Sequence, residues 1–241
     1  MDRLMRLIDV VRCKGALRQL LTSKIFSISS FQISRALSAY ENDFKSIIDA
    51  GANQGQFAMA SSYRFPKSKI YSFEPVPETF AELVQNTKGN NIECFQYALG
   101  DETGQLTFYQ NNYSHVSSAL KISEENDSPQ YDLGIKNELK VPVYRLDDIV
   151  SELNVESPCL LKLDVQGLER QVLRGAMNFL EKVDYVLLEV SFVKLYDDQP
   201  LFSELDSLLN GLGFSLLSPV DFHRGARNIV IEMDVLYKRD K

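Results

Sequence analysis

The chain has no tryptophan, only two histidines and three cysteines, and no long apolar run among its 241 residues. Cys13, Cys94 and Cys159 are odd in number, widely spaced and free of any C-x-x-C pair, which disfavours a disulfide framework and a zinc site. No apolar run approaches the roughly 20 residues of a membrane span, and the N-terminus lacks the apolar core and cleavage site of a secretory signal. These absences predict reduced thiols in a cytoplasmic protein without a transmembrane segment.

The composition is that of a globular protein, with 44% hydrophobic and 24% charged residues. In place of tryptophan, 14 Phe and 11 Tyr supply aromatic packing. The net charge is −7. Because affinity for nucleic acid comes mainly from Lys and Arg on phosphate, nucleic acid is not expected as a partner.

Positive charge is concentrated in residues 1–40, which contain seven Lys and Arg residues and only two acidic residues, both Asp. Apolar residues recur there at helical spacing, so we predict one or two basic amphipathic helices. The predicted organisation is an N-terminal extension, residues 1–44, ahead of a domain at 45–241. The extension is interpreted either as a cap on the domain or a dimer contact, or as an attachment to an anionic membrane surface or to a partner that holds the substrate.

From residue 45 onward, strand-like and helix-like segments alternate, which predicts an α/β fold with a mostly parallel, doubly wound sheet. The predicted strands are 46–49, 69–73, 91–98, 106–109, 141–144, 160–163, 185–190, 214–217 and 228–237. Only a loop separates the last two strands. Since parallel neighbours need a long crossover, the final strand is predicted to be antiparallel.

Residues 110–140 are polar and weakly periodic. A loop of this length within a domain is usually functional or disordered. We predict a lid over the site, with an insertion that has no role as the alternative.

The strongest local signal is a glycine turn after the first predicted strand. The strand ends at Asp49, and the chain then passes Gly51 and Gly55 into a helix. Glycines permit close backbone approach, and amides at a helix start can hold a polar or anionic ligand. The pattern is neither G-x-G-x-x-G nor a P-loop, so an ordinary tight turn is the alternative.

A carboxylate, Glu74, ends the second predicted strand and is followed by Pro75. An acidic residue about 20 positions after a glycine turn is placed to accept hydrogen bonds from ribose hydroxyls. The alternative is a glutamate that only serves the dipole of the next helix. Turn and carboxylate together favour a nucleoside ligand.

Two further carboxylates lie near the end of the fourth core strand. Asp164 follows the strand and Glu169 lies one turn into the next helix. Ligands of open α/β sheets bind outside the carboxyl ends of the strands, where such groups can hold a hydroxyl or a cation or remove a proton. The alternative is again an acidic helix start.

Three motifs together resemble the FkbM family of S-adenosylmethionine-dependent methyltransferases over roughly residues 45–237. They are Asp49-Ala-Gly-Ala-Asn-Gln-Gly55, Phe73-Glu-Pro75, and Lys162-Leu-Asp-Val-Gln-Gly-Leu-Glu169 with Arg174-Gly-Ala176. The resemblance implies the seven-stranded class I methyltransferase fold with an antiparallel last strand. It also implies O-methylation of a hydroxyl on a sugar, glycolipid or polyketide-like acceptor.

The resemblance also implies a cofactor site for S-adenosylmethionine. Its expected residues are Asp49, Gly51, Ala52, Asn53, Gly55, Phe57, Glu74, Pro75, Tyr97, Ala98, Leu99 and Asp164. Glu74 would bind the ribose, residues 97–99 would border the adenine, and Asp164 would face cofactor and acceptor. The chain departs from the family at Gln166, where Glu is usual, so a role carried by that Glu does not transfer.

The expected catalytic base is Asp164, Glu169 or His115, with Glu189 as a competitor. Histidine has the most suitable unperturbed pKa, but a loop position such as that of His115 is also typical of a solvated side chain. No His or carboxylate cluster has metal-ligand spacing along the sequence, so no metal is expected. Two other functions stay open, a nicotinamide-dependent oxidoreductase and a non-catalytic scaffold that retains the fold.

Overall fold

The computed structural model describes residues 9–111, 118–120, 135–225 and 228–240. The strands are β1 Ser46–Ala50, β2 Lys69–Phe73, β3 Ile92–Phe95, β4 Ala98–Leu99, β5 Gly104–Asn111, β6 Ile135–Tyr144, β7 Cys159–Leu163, β8 Tyr185–Ser191, β9 Phe214–Arg224 and β10 Val230–Arg239. The α-helices are Ala16–Thr22, Ile28–Leu37, Gln56–Arg64, Pro77–Thr87, Leu146–Ile149, Glu169–Arg174 and Phe202–Gly211, and 3-10 turns occur at Val150–Glu152 and Phe179–Lys182.

The central sheet has seven strands in the order β3-β2-β1-β7-β8-β10-β9. Strands β3, β2, β1, β7 and β8 are mutually parallel, whereas β10 is antiparallel to both of its neighbours. This confirms the predicted doubly wound sheet and its antiparallel last strand. The physical reason is the short loop between β9 and β10, which cannot make a parallel crossover.

Both faces of the central strands are covered. Every residue of β1 and β7 is buried, as expected for parallel strands between two helical layers. Side chains alternate between the layers, so Ile47 belongs to the apolar cluster under the helices Ile28–Leu37 and Gln56–Arg64, whereas Ile48 belongs to the cluster on the opposite face. The sheet therefore holds its strand ends in fixed positions.

The predicted strand at 91–98 is wrong in its extent. The chain leaves the central sheet after Phe95, and Ala98 pairs with Val143 in a second sheet of order β4-β6-β5. Ala98 and Val143 are buried there with Val76 and Phe108 in an apolar cluster of their own. Burial in this separate cluster is why the chain changes sheets.

The boundaries of the predicted loop at 110–140 are also wrong. Strands β5 and β6 extend into it, and Gln110 pairs with Asn137 in their antiparallel ladder. Ser118 forms an isolated bridge with Tyr109. The rest of the predicted lid, residues 112–117 and 121–134, lies outside the described residues.

Two helices, Ala16–Thr22 and Ile28–Leu37, pack on the domain near the helix Gln56–Arg64. Val10, Ala16, Phe31 and Ala60 form a buried cluster between them. Within the part of the chain that the structure describes, no helix is long and apolar enough to cross a membrane.

Candidate active site

A cleft of about 700 Å³, counted with the solvent at its mouth, lies beside the carboxyl ends of β1, β2 and β7. The order of strands reverses between β1 and β7, which is where open α/β sheets bind their ligands. The cleft brings together eight of the predicted site residues: Gly51, Asn53, Glu74, Pro75, Tyr97, Ala98, Leu99 and Asp164. The other lining residues are mostly apolar and were not predicted from the sequence as site residues: Phe73, Val76, Thr79, Phe108, Val165, Gln166 and Leu168.

The glycine turn is fixed by contacts between strand ends. Gly51 has φ +74°, and a Cβ on it would lie 1.8 Å from the carbonyl oxygen of Asp164. The amides of Gly51 and Ala52 donate to the Phe73 carbonyl at 3.1 and 2.9 Å. The close approach of β1 to the loop after β7 therefore requires glycine at position 51, whether or not a ligand also approaches it.

Gly51→Ala is expected to lower the free energy of unfolding more than Gly89→Ala, by about 1–3 kcal/mol, because the new Cβ meets backbone. Gly89 is the matched control, since its φ of +81° imposes similar strain while no atom lies within 4 Å of the place that a Cβ would take. Urea denaturation of both variants measures the difference. Equal losses would show that the contact of Gly51 with the Asp164 carbonyl is easily relieved.

Glu74 is buried at the end of β2, with a relative exposure of 7%. Its Oε2 accepts from the amide of Asn53 at 3.0 Å and its Oε1 accepts from the amide of Val76 at 2.9 Å. Burial raises the pKa of Glu74 to about 7, although these two amides lower it. Each carboxylate oxygen keeps a further acceptor site, so Glu74 can still receive two hydroxyl donors from the cleft.

Four predicted cofactor residues are not among the residues that line the cleft: Asp49, Ala52, Gly55 and Phe57. Gly55 has φ +94° and is the N-cap of the helix Gln56–Arg64. Asp49 is completely buried and faces Lys162, its partner in the β1–β7 register. Gly55 therefore shapes the entry to the helix, and Asp49 pairs with Lys162 between β1 and β7.

Lys162 begins the motif that ends at Glu169, but the sequence assigned it no role. Its Nζ lies 3.1 Å from Asp49 Oδ1 and 3.5 Å from Asp164 Oδ2, and it donates to the Gly51 carbonyl at 3.1 Å. Burial lowers the pKa of Lys162, but the Asp49 and Asp164 carboxylates together raise it by more than burial lowers it. The pKa of Lys162 therefore lies above its ordinary value. The sequence did contain a signal for these contacts. Lys162 lies in an otherwise apolar predicted strand, and a buried charge needs a buried partner.

Asp164 faces the cleft, and its side chain is 39% exposed. Its Oδ1 accepts from Gln166 Nε2 at 2.9 Å, and the same amide lies 3.2 Å from Glu189 Oε2. Gln166 Oε1 accepts from the hydroxyl of Tyr196 at 2.8 Å. An amide can donate to both carboxylates, which an ionised Glu at position 166 could not do. The departure from the family at Gln166 therefore joins two acidic groups.

Glu169 is 3% exposed and is not among the residues that line the cleft. Its Oε1 accepts from the amides of Val165 and Gly167, both at 3.2 Å. Burial raises the pKa of Glu169 to about 7, although these backbone contacts lower it. The geometry favours a role in holding the loop after Asp164.

His115 lies outside the described residues, so its predicted role stays a prediction. The other histidine, His223, has its Nε2 3.7 Å from Asp234 Oδ2 and 3.9 Å from Glu189 Oε1. The neighbouring Asp234 carboxylate raises the pKa of His223, although burial lowers it.

The fold also brings together potential metal ligands that are far apart in sequence. Atoms of Asp221, His223 and Asp234 lie within 4.8 Å of one another. They meet because Asp234 pairs with Asp221 on β9 and with Glu189 on β8. Asp221 Oδ2 also accepts from the hydroxyl of Ser29 at 2.6 Å. Their spacing along the sequence gave no sign of this proximity, and the expectation that no metal is required stays a prediction.

Comparisons with known proteins agree with this architecture. The chain is 30% identical over 222 residues to the 2-O-methyltransferase NoeI of Sinorhizobium fredii, covering 88% of this chain and 87% of NoeI. It is 27% identical over 197 residues to the 31-O-demethyl-FK506 methyltransferase FkbM of Streptomyces tacrolimicus, covering 73% and 74% of the two chains.

A solved structure shares the fold. Magnesium protoporphyrin IX methyltransferase from Synechocystis PCC 6803, with bound SAM, aligns with a TM-score of 0.51 at 11% identity over 100% of this chain and 98% of that one. The fold is that of the class I methyltransferases. Residues 49–216 match the family described as the methyltransferase FkbM domain. The chain belongs to the FkbM methyltransferase family.

Proposed function

We propose that this protein binds S-adenosylmethionine in the cleft and methylates a hydroxyl of a sugar, glycolipid or polyketide-like acceptor. One observation carries the proposal: a single cleft is lined by the glycine turn, by Glu74, by residues 97–99 and by Asp164. The names of two relatives, a 2-O-methyltransferase and a 31-O-demethyl-FK506 methyltransferase, support oxygen as the methylated atom.

The lining residues fit this cofactor. S-adenosylmethionine supplies a methyl group activated by its sulfonium sulfur. Glu74 offers two acceptor sites for the ribose hydroxyls, and Gly51 leaves room for backbone approach. Tyr97 and the apolar Ala98 and Leu99 form a wall suited to the flat adenine ring.

In this proposal, Asp164 orients the acceptor hydroxyl and takes its proton. Its carboxylate lies at the end of β7, in the same cleft as the glycine turn. Lys162 Nζ and the Gln166 amide hold its two oxygens from behind. A side chain fixed in this way can align an acceptor, which is the main requirement of an in-line displacement.

Glu74→Gln is expected to weaken S-adenosylmethionine binding at least about tenfold, because it removes a charged acceptor of two hydroxyls. The wild-type affinity should also fall about tenfold from pH 8 to pH 6. With a pKa of about 7, Glu74 is mostly ionised at pH 8 and mostly protonated at pH 6, and only the ionised form keeps both acceptors. Isothermal titration calorimetry across this range measures both effects.

The variant tests the assignment to Glu74, since it should bind with a much flatter pH dependence than the wild type. Glu102→Gln is the control, because Glu102 is exposed outside the cleft. An unchanged affinity of Glu74→Gln would remove the ribose assignment.

A screen for transfer of radiolabelled methyl groups to fractionated glycans, glycolipids and small metabolites tests the proposed activity. Label in a hydroxyl-bearing fraction is expected. Calorimetry with S-adenosylmethionine and with NAD separates the alternatives. Membership of a methyltransferase family argues against the nicotinamide-dependent one, and a scaffold would bind neither cofactor.

A further inference from the structure

The helix Ala16–Thr22 has its polarity reversed. Its buried residues are Ala16 and Gln19, whereas Leu17, Leu20 and Leu21 are 51%, 39% and 76% exposed. These three leucines, at spacing i, i+3 and i+4, form one stripe, here called the leucine face. A helix on a globular surface normally turns such a stripe toward the core. The leucine face is therefore built to contact something outside the described chain.

The burial of Gln19 shows that this orientation of the helix has a cost in free energy. It is 1% exposed, and its Oε1 and Nε2 have no hydrogen-bond partner among the described residues. Burying an amide without a partner costs free energy. The helix nevertheless buries Gln19 and keeps its leucines outside.

Exposed cations, here called the cationic rim, lie within five residues of a leucine of the leucine face along the chain. Members of this cationic rim are Arg12, Lys14, Arg18 and Lys24. Arg12 and Lys14 of this rim also line a groove against the helices Ile28–Leu37 and Gln56–Arg64. The charged residues lining the groove are Arg12, Lys14, Arg35, Arg64 and Asp9. This positive surface belongs to a chain whose net charge is −7, so its sign is a local feature.

We propose that the leucine face and its cationic rim dock the protein peripherally on an anionic lipid bilayer. Leucines insert at the boundary between headgroups and acyl chains, while Lys and Arg attract the phosphates of anionic lipids. A second copy of the chain fits less well, because a symmetric dimer through this face would bring two cationic rims together. The proposal goes beyond the methylation chemistry and does not depend on it.

Flotation with vesicles of phosphatidylcholine containing phosphatidylglycerol, and with vesicles of phosphatidylcholine alone, tests the proposal. The wild-type chain is expected to float with the anionic vesicles and to lose this binding with neutral lipid or at high salt. The combined change Leu17→Gln, Leu20→Gln and Leu21→Gln should reduce partitioning at least about tenfold. Arg12→Gln with Lys14→Gln should reduce it about fivefold per charge.

The matched apolar control is Leu216→Gln with Leu217→Gln, because these leucines are 43% and 39% exposed on β9. The matched charge control is Lys67→Gln with Lys88→Gln, both exposed elsewhere. Both controls should float as the wild type does, and the melting temperatures of all variants should agree. Failure of the wild type to float, or equal flotation of the leucine variant, would overturn the proposal. So would a dimer in analytical ultracentrifugation that the leucine changes abolish without any vesicle binding.

Discussion

Asp164→Asn is expected to lower methyl-transfer turnover at least about 100-fold while the fold stays intact, because a general base contributes about 100- to 10,000-fold. The substitution keeps the shape of a side chain that is 39% exposed and faces the cleft, but removes its charge and its basicity. Cofactor affinity should weaken only modestly, since Glu74 and the glycine turn remain. Single-turnover kinetics and calorimetry measure the two effects separately.

The environments of the competing carboxylates favour Asp164 as the base. Burial, and after it the charge of Asp164, raise the pKa of Glu189 well above its ordinary value, and its Oε2 accepts from the Gln166 amide. Glu169 has a pKa near 7, but its Oε1 is turned toward backbone amides. Asp164 alone among these three lines the cleft.

Three variants serve as comparisons for Asp164→Asn. Glu169→Gln should affect mainly stability, and Glu189→Gln and His115→Ala should keep most of the turnover. If Asp164→Asn is active while one of these is inactive, the base is misassigned and the methyltransferase activity survives. If all four variants turn over at the wild-type rate, the enzyme works by alignment alone.

Lys162→Met is expected to lower the free energy of unfolding by about 3–5 kcal/mol, because it leaves a buried carboxylate without its cation. Asp49 is completely buried, and its nearest charge is Lys162 Nζ at 3.1 Å. Burial already raises the pKa of Asp49, and Lys162 lowers it. Chemical denaturation at neutral pH measures the loss.

The pH dependence of this deficit has a definite sign. Without Lys162, the pKa of Asp49 in the folded state rises further above its unfolded value, so the folded state binds more protons. Stability of the variant then falls as pH rises, and the deficit shrinks as pH falls toward the folded-state pKa. A deficit that does not change with pH would contradict the assignment to Asp49.

Lys69→Met is the matched control, because Lys69 also pairs with a carboxylate from a strand. Its Nζ lies 2.9 Å from Glu93 Oε2, but the two side chains are 36% and 49% exposed. Such a pair contributes about 1 kcal/mol or less. Adding Asp49→Leu to Lys162→Met should restore part of the stability, since an apolar pair can replace a buried ion pair. If Lys162→Met costs no more than Lys69→Met, the buried pair is not a special contributor.

Local sequence patterns predicted the features that depend on near neighbours in the chain. Short runs of four or five mostly apolar residues between helix-like segments predicted the buried strands β1, β2 and β7, and the short loop before β10 predicted the antiparallel ending. Glycines at 51 and 55 marked the βα turn because only glycine adopts its angles without strain. Glu74 was found in the same way, as the residue at which the next strand ends.

The extents of irregular segments were not predictable at this level. The change of sheet between Phe95 and Ala98, and the extension of β5 and β6 into the segment 110–140, depend on which strand each residue pairs with. Pairing in turn depends on burial in a separate apolar cluster around Val143. Local periodicity carries no information about that cluster.

The sequence by itself determined the fold class, the family and the carboxylates at the strand ends, because each depends on local patterns and short motifs whose residues are near neighbours in the chain. The tertiary structure decided which charged side chains lie next to one another. Strand register placed Asp49 beside Lys162 and Asp234 beside both Glu189 and Asp221. The loop after β7, with Gln166 at φ +53°, decided that the amide of Gln166 joins Asp164 to Glu189 while Glu169 turns inward. Distances of this kind depend on long-range pairing and on single backbone angles, which side-chain periodicity along the chain does not specify.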